Sequence, residues 1–317
     1  MDIQSTSQVG KSGLVVTKLG LGTAALGYLY QPVEEDEAVN TIMTAYNLGI
    51  RWFDTAPLYG QGRAELRLGM ALKSLPREEI VIATKVGYVI PESGEIVPQD
   101  QLPRDYSYDG VLYSVEHSLR RLGCDRVDLL QIHDPDDHYD AAMQGTYKAL
   151  RRLREEGTVQ AIGVGMNQSE LLVEFAKHGE FDSFLLAGRY TLLDQSAEDM
   201  LLPIAAEQRI SILVGGPFNS GILADPWAER PMFNYQEAGR DWVLRAQRLG
   251  TWCREEGIPL KAAALQFPLN HPAVSGVLVG ARSSNEIEEN VAMARYPIPE
   301  EFWESGARRR LIGKAKL

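Results

Sequence analysis

Cysteine is scarce: two in 317 residues, Cys124 and Cys253, far apart and in no metal-ligand spacing. That argues against a disulfide framework and fits a reducing compartment. Long hydrophobic runs are missing too; none approaches the roughly 18 apolar residues that span a bilayer. Met1 to Gly13 lacks a basic start followed by an apolar core. No secretory leader is therefore expected, and a cytoplasmic location is. Positive charge is in deficit, with 32 Lys and Arg against 43 Asp and Glu and a net charge of −11. Nucleic acid and anionic membranes are disfavoured as partners. The one basic cluster, Arg308, Arg309, Arg310, Lys314 and Lys316, reads as a solvated helix end. No low-complexity or Pro/Ser-rich linker divides the chain, so one domain over residues 1–317 is expected. At 44% hydrophobic and 24% charged residues, disorder and fibrous classes are excluded.

What is present is a repeated pattern of short apolar run, polar loop and amphipathic stretch. The runs are Leu19–Gly22, Arg51–Asp54, Ile80–Lys85, Val127–His133, Ala161–Val164, Ser183–Ala187, Ile210–Val214 and Gly276–Val279. Helical patterns lie between them, at Glu34–Leu48, Ala64–Ser74, Tyr108–Leu122, Asp140–Glu156, Ser169–Lys177, Glu198–Gln208, Gly239–Glu256 and Asn285–Ala294. In one of these, Val111, Leu112, Val115, Leu119 and Leu122 form a stripe. Gly49, Gly123, Gly157 and Gly179 punctuate helix ends. Continuous apolar strands mean a parallel sheet covered on both faces. Eight strand–helix units in an undivided chain favour an α/β fold of the (β/α)8 TIM barrel type over an open doubly wound sheet. Val9–Thr17 reads as an N-terminal β-hairpin closing the barrel floor. The long loops Val86–Tyr106 and Gly215–Ala238 follow the third and seventh strands. Both belong on the C-terminal face, where barrels build their sites.

Three ionisable residues end successive buried strands: Asp54, Lys85 and His133. A buried ammonium needs a partner, and Asp54 on the neighbouring strand supplies one. Tyr59, five residues after Asp54, lies on a loop that can fold back over these ends. A Lys85 ammonium beside its phenol would lower the phenol pKa from near 10. His133 would orient a substrate oxygen. The set suits proton transfer at a carbonyl or alcohol oxygen. It contains neither a Ser or Cys relay nor a metal cage.

With these residues in order, the chain resembles the aldo-keto reductases essentially end to end. The resemblance is carried by Gly20-Leu-Gly-Thr-Ala, Phe53-Asp-Thr-Ala-Pro-Leu-Tyr-Gly, Thr84-Lys85, Asp128-Leu-Leu-Gln-Ile-His133 and Gly163-Val-Gly-Met-Asn167. It continues through Pro217-Phe-Asn-Ser-Gly-Ile-Leu223 and Val279-Gly-Ala-Arg-Ser-Ser-Asn-Glu-Ile-Glu-Glu-Asn290. It implies a barrel that binds an extended nicotinamide cofactor, with a tetrad of Asp54, Tyr59, Lys85 and His133 and Tyr59 as general acid/base. The implied cofactor contacts are Gly22 and Thr23, Asn167 at the carboxamide, and Phe218, Asn219, Ser220, Gly221 and Leu223 along the pyrophosphate. Gly280, Arg282 and Ser283 complete that stretch and the ribose, and Asn290 meets the adenine. Where many members carry Gln and a stacking Tyr, this chain has Ala187 and Gly215. Gly215-Gly-Pro-Phe-Asn-Ser-Gly and Leu186-Ala-Gly-Arg-Tyr-Thr-Leu-Leu resemble the branch that oxidises free aldoses at C1, the D-threo-aldose dehydrogenases, with pyridoxal dehydrogenase nearby. The implied function is NAD(P)-dependent oxidation of an aldose C1 hydroxyl to a lactone, or the reverse carbonyl reduction. General carbonyl reduction and pyridoxal oxidation are the alternatives. Arg282 could fork onto a 2′-phosphate. Glu286, standing where some members carry Arg, would repel one, so NAD is expected to be preferred and NADP to remain usable. A small-molecule substrate is the expected partner, on a monomer or small homo-oligomer.

Other features have plainer readings. His138 with Asp134, Asp136 and Asp137 reads as a solvated loop rather than metal ligands, although Asp134 sits beside His133, where it could touch substrate. Asn167-Gln-Ser is a chance glycosylation match. Glu155-Glu156 and Glu288-Glu289 read as solvated helix faces. Trp227, Phe233 and Tyr235 read as loop packing, with sugar stacking as the alternative. Two rivals from other classes are a non-catalytic regulatory barrel and an aldolase using Lys85 as a Schiff base.

Overall fold

The computed structural model describes residues 1–29, 31–91 and 96–312. A floor hairpin pairs β1 (Thr6–Gln8) with β2 (Val15–Thr17). The barrel strands are β3 (Leu19–Gly22), β4 (Trp52–Asp54), β5 (Val81–Val86), β6 (Leu129–His133), β7 (Ala161–Met166), β8 (Ser183–Ala187), β9 (Ser211–Gly215) and β12 (Val274–Gly280). They are parallel and close into a ring as β12 pairs with β3 and β9. A second small hairpin, β10 (Met232–Phe233) with β11 (Gln236–Glu237), sits in the long connection after β9.

Helices wrap the outside: α1 (Glu35–Asn47), α2 (Arg63–Leu72), α3 (Tyr108–Leu122), α4 (Tyr139–Ala141), α5 (Tyr147–Glu155), α6 (Ser169–His178), α7 (Leu201–Gln208), α8 (Arg240–Glu255), α9 (Leu260–Gln266), α10 (Ser284–Arg295) and α11 (Glu300–Arg308). Local chemistry explains their ends. The Ser107 hydroxyl caps α3 by accepting from the Gly110 N–H, and Gly123 ends it in the left-handed region at φ 63°. The Val111, Val115 and Leu122 stripe is buried, whereas Leu112 is 40% exposed, a turn away from the core-facing side. Gly179 ends α6 without left-handed geometry, at φ −139°. A Cβ there would meet the Phe181 ring at 2.4 Å, so close packing rather than dihedral freedom is its reason. The expected helix over Asp140–Glu156 holds a π segment at Ala142–Thr146. That segment receives the Tyr106 carbonyl: Thr146 Oγ1 donates to it at 2.7 Å, and a Cβ on Gly145 would lie 2.3 Å from it.

The barrel interior is layered. Strand alternation sends Trp52, Ala83, Leu129, Ala161, Leu185, Leu213 and Leu278 into one apolar cluster, joined below by Val9, Leu14 and Val16 of the floor. Trp52 is the large filler. A Cβ on Gly20 would meet its ring at 2.5 Å and one on Gly276 at 2.9 Å, so these glycines make room for it. Fully burying a large apolar side chain contributes roughly 1.5–3 kcal/mol. Of the C-terminal basic cluster, Arg309 pairs with Glu255 and Glu256, while Lys314 and Lys316 lie outside the described residues.

Candidate active site

Two residues above the apolar layer, the same strands turn polar. Asp54 ends β4, Lys85 lies near the end of β5, and Gln131 and His133 follow on β6. Lys85 Nζ donates to Asp54 Oδ1 at 2.5 Å and to the Thr55 carbonyl at 2.8 Å, with both partners of the ion pair buried. Burial raises the Asp54 carboxyl, and the Lys85 ammonium opposes that rise.

Tyr59 arrives on the loop between β4 and α2. Close backbone packing fixes that loop: a Cβ on Gly27 would strike the Tyr59 carbonyl carbon at 2.6 Å, and one on Gly60 the Gly27 oxygen at 2.4 Å. The Tyr59 ring lies 4.8 Å from Lys85 Nζ and 5.7 Å from the His133 ring, edge-on. Burial, then Asp54, Tyr235 and Asp134, pushes the phenol well above its usual value. The lowering expected from Lys85 is therefore overridden in the free protein by desolvation and by negative neighbours. Burial, Lys85 and Arg104 hold His133 well below its usual value, so its ring is neutral.

The loop after β5 builds a wall that the sequence does not announce. Tyr88 stands edge-on to His133 at 5.4 Å, and Arg104 donates to the Tyr88 hydroxyl at 2.9 Å. Tyr106 Oη donates to the carbonyls of His133 at 2.7 Å and Asp134 at 2.9 Å. Gln131 could have been found, because it sits two residues before His133 on an apolar strand and so shares its face. Both of its amide atoms are buried without a hydrogen-bond partner among the described residues. Tyr59, Lys85 and His133 open into a cavity of about 550 Å³ that also reaches Asp134, Asn167, Ala187 and Tyr235.

Beside the cavity, Asn167 Nδ2 donates to the Ala187 carbonyl at 2.9 Å. At Gly215 a Cβ would meet Leu185 at 3.3 Å, a tight contact that the Leu185 side chain would have to relieve. Gly221 and Gly280 border open space, and a Cβ on Gly22 would meet the Val279 carbonyl oxygen at an ordinary 3.7 Å. Several of the expected cofactor contacts also make bonds or contacts within the fold. Thr23 Oγ1 donates to the Asp54 carbonyl at 3.1 Å. The Asn219 amide is used at both ends, accepting from Thr191 at 2.6 Å and donating to Gly188 at 3.0 Å. Leu223 is buried in the core, with its N–H bound to the Phe218 carbonyl. Ser220 Oγ accepts from the Tyr235 N–H at 3.0 Å.

At the start of α10, Ser283 caps the helix by accepting from the Glu286 N–H at 3.3 Å. Arg282 and Glu286 pair: Nε donates to Oε1 at 3.0 Å, and the backbone N–H donates to Oε2 at 2.8 Å. Burial raises the Glu286 carboxyl, but its bonds with Arg282 outweigh that and hold it below its usual value. Glu37 adds a second carboxylate, accepting from the Ser284 N–H at 2.8 Å. Asn290 donates to the Gly280 carbonyl at 3.2 Å.

Of the loop aromatics, Phe233 stacks on Trp242 at 4.1 Å and Trp227 packs on Gly250 under Arg254, as structural packing. Tyr235 alone of the three lines the cavity. Among the described residues, no group of three His, Cys, Asp or Glu is placed to hold a metal, and no helix is long and apolar enough to cross a membrane.

A closed parallel barrel with a Lys–Asp pair, a Tyr and a His at its C-terminal mouth is an arrangement suited to proton transfer at a carbonyl or alcohol oxygen. The aldo/keto reductase family profile matches residues 18–306, and the chain belongs to that family. It is an NAD(P)-dependent oxidoreductase. It is 40% identical to pyridoxal 4-dehydrogenase of Microbacterium luteolum, covering 93% of this chain and 94% of the relative. It is 37% identical to D-threo-aldose 1-dehydrogenase of a Pseudomonas species, covering 95% and 96%. The holo form of an aldo-keto reductase from Bacillus halodurans superposes with a TM-score of 0.78 at 29% identity, covering 99% and 97%.

Proposed function

We propose that this protein oxidises the C1 hydroxyl of a cyclic aldose to the lactone, with NAD preferred over NADP. The observation that carries the reading is the convergence of Tyr59, Lys85 and His133 at one open cavity, with Asp54 bonded to Lys85 behind it. In this reading Tyr59 is the general acid/base, taking the hydroxyl proton in oxidation and returning it in reduction. Lys85 stabilises the phenolate, Asp54 fixes Lys85, and the neutral His133 ring hydrogen-bonds the reacting oxygen. The nicotinamide, when bound, accepts or supplies the hydride. Lys85 is ill-suited to a Schiff base, because its ammonium is buried and bonded to Asp54 and Thr55.

The cofactor would lie along Asn167, Gly22, Phe218–Gly221, Gly280–Ser283 and Asn290, with Thr23, Asn219 and Leu223 shaping the walls. Two carboxylates, Glu37 and Glu286, at the start of α10 disfavour a 2′-phosphate, and Arg282 is already matched by Glu286. Pyridoxal is the second reading for the substrate, supported by the 40% identity to pyridoxal 4-dehydrogenase. An aldose and pyridoxal share one feature: an aldehyde that closes on its own hydroxyl to a cyclic hemiacetal. A panel of free sugars, pyridoxal and simple aldehydes, assayed with NAD, NADP and their reduced forms, tests this. If no sugar reduces either cofactor while plain aldehydes are reduced well by NADPH, the protein is a general carbonyl reductase.

A further inference from the structure

Asp134 follows His133 and holds a backbone conformation that L residues rarely adopt, φ +42°. Such strain persists only where the surroundings over-determine it, and it gathers at functional sites. Here both backbone groups are pinned. The Asp134 N–H donates to the Gly165 carbonyl at 3.0 Å, and its own carbonyl accepts from Tyr106 Oη at 2.9 Å. Tyr106 is itself seated through its carbonyl in the π segment before α5.

The result of this arrangement is the placing of one carboxylate. Asp134 lines the cavity with its side chain 29% exposed, and its Oδ2 stands 3.7 Å from His133 Nε2. Among the described residues no group donates a hydrogen bond to that carboxylate. Arg104, the cation on the same wall, donates to Tyr88 instead. The carboxylate caps no helix and closes no turn, so fold stability does not explain it. Burial and the neighbouring Asp136 push its carboxyl up to about 6, against the opposing charges of Lys85 and Arg104.

We propose that Asp134 reads the substrate: its carboxylate accepts a hydrogen bond from a hydroxyl on the carbon next to the reacting one. The proposal rests on the tetrad assignment, which puts the reacting oxygen against Tyr59 and His133. A spacing of 3.7 Å from Nε2 to Oδ2 lets adjacent oxygens of one substrate meet the two groups side by side. An aldose carries such a hydroxyl at C2. A plain aldehyde does not, and it leaves the half-buried carboxylate without that donor. The enzyme would thus select hydroxylated carbonyl compounds and their hemiacetals over unsubstituted aldehydes.

The test compares kcat/KM for substrate pairs differing by one hydroxyl. The pairs are 2-hydroxypropanal against propanal in reduction, and galactose against 2-deoxygalactose in oxidation. Wild type is compared with Asp134→Gly, which accepts the positive φ, and with Asp134→Asn, which accepts it and keeps the side-chain size. A hydrogen bond to a charged group supports a preference of about 10- to 100-fold for the hydroxylated partner in wild type. That ratio should fall to near one in Asp134→Gly and to an intermediate value in Asp134→Asn. A ratio that stays at its wild-type value in both variants, or equal losses on both members of a pair, overturns the proposal. If the sugars are not oxidised but 2-hydroxypropanal is reduced, the aldose reading fails while the Asp134 ratio remains measurable.

Discussion

The lower and upper halves of the barrel interior are built by the same strands and differ by one step. Trp52, Ala83 and Leu129 pack the lower layer, and Asp54, Lys85 and Gln131 stand two residues further on in the upper one. Each pair faces the same way, because side chains alternate and two residues advance a strand by roughly 6.6 Å. Below, glycines at positions 20 and 276 admit an indole and leave no room for chemistry. Above, Gly165 lines the cavity beside the polar layer, where a Cβ would meet Gln131 at 2.9 Å and Lys85 at 3.5 Å. Stability and reactivity are thus stacked along one axis, and substitutions in the two layers should separate them.

The sharpest way to break that separation is Tyr59→Phe. The ring stays and the transferable proton goes, so turnover should fall by about 10²–10⁴-fold. Cofactor affinity, read by fluorescence titration, should hardly move. Near-normal turnover would remove Tyr59 from its assigned role. Lys85→Met should damage both properties, since it leaves Asp54 buried without its cation. Breaking a buried pair in this way costs about 3–5 kcal/mol, which urea unfolding measures alongside the loss of turnover. Leu129→Ala, one layer down, should cost roughly 2–5 kcal/mol of stability. Its kcat should stay within about threefold of wild type; a loss near that of Tyr59→Phe would show that the layers are coupled.

Two smaller effects sharpen the upper layer. Burial holds the Tyr59 phenol well above its usual value, so the phenolate fraction is small and grows with pH. Oxidation, which needs the phenolate, should rise about tenfold per pH unit in kcat/KM through and above neutrality. Reduction, which needs the phenol, should stay flat over that range. A plateau in oxidation near neutral pH would contradict this. Glu286→Gln removes a carboxylate from the α10 terminus and the charge that holds Arg282. NADP use relative to NAD should rise by about tenfold; an unchanged ratio would assign discrimination to other residues, Glu37 first.

The barrel was legible because its signals are local and repeated. Continuous apolar runs, amphipathic spacing and glycines at helix ends are read over a few residues, and β3, β8 and α3 fall on their expected bounds. Asp54, Lys85 and His133 were legible because charged or polar residues at the ends of apolar strands stand out against their neighbours. The sequence by itself therefore determined the barrel type, the strand-end residues and the family. Tertiary structure alone decided what depends on distant segments meeting. Glu37 reaches Ser284 across 247 positions. Tyr106 clamps the chain beyond His133, and Arg282 closes on Glu286. Asn219 and Thr23 turn inward to hold loops. The height of the Tyr59 pKa belongs here too, because desolvation depends on everything packed around the ring, and no spacing in a sequence records that.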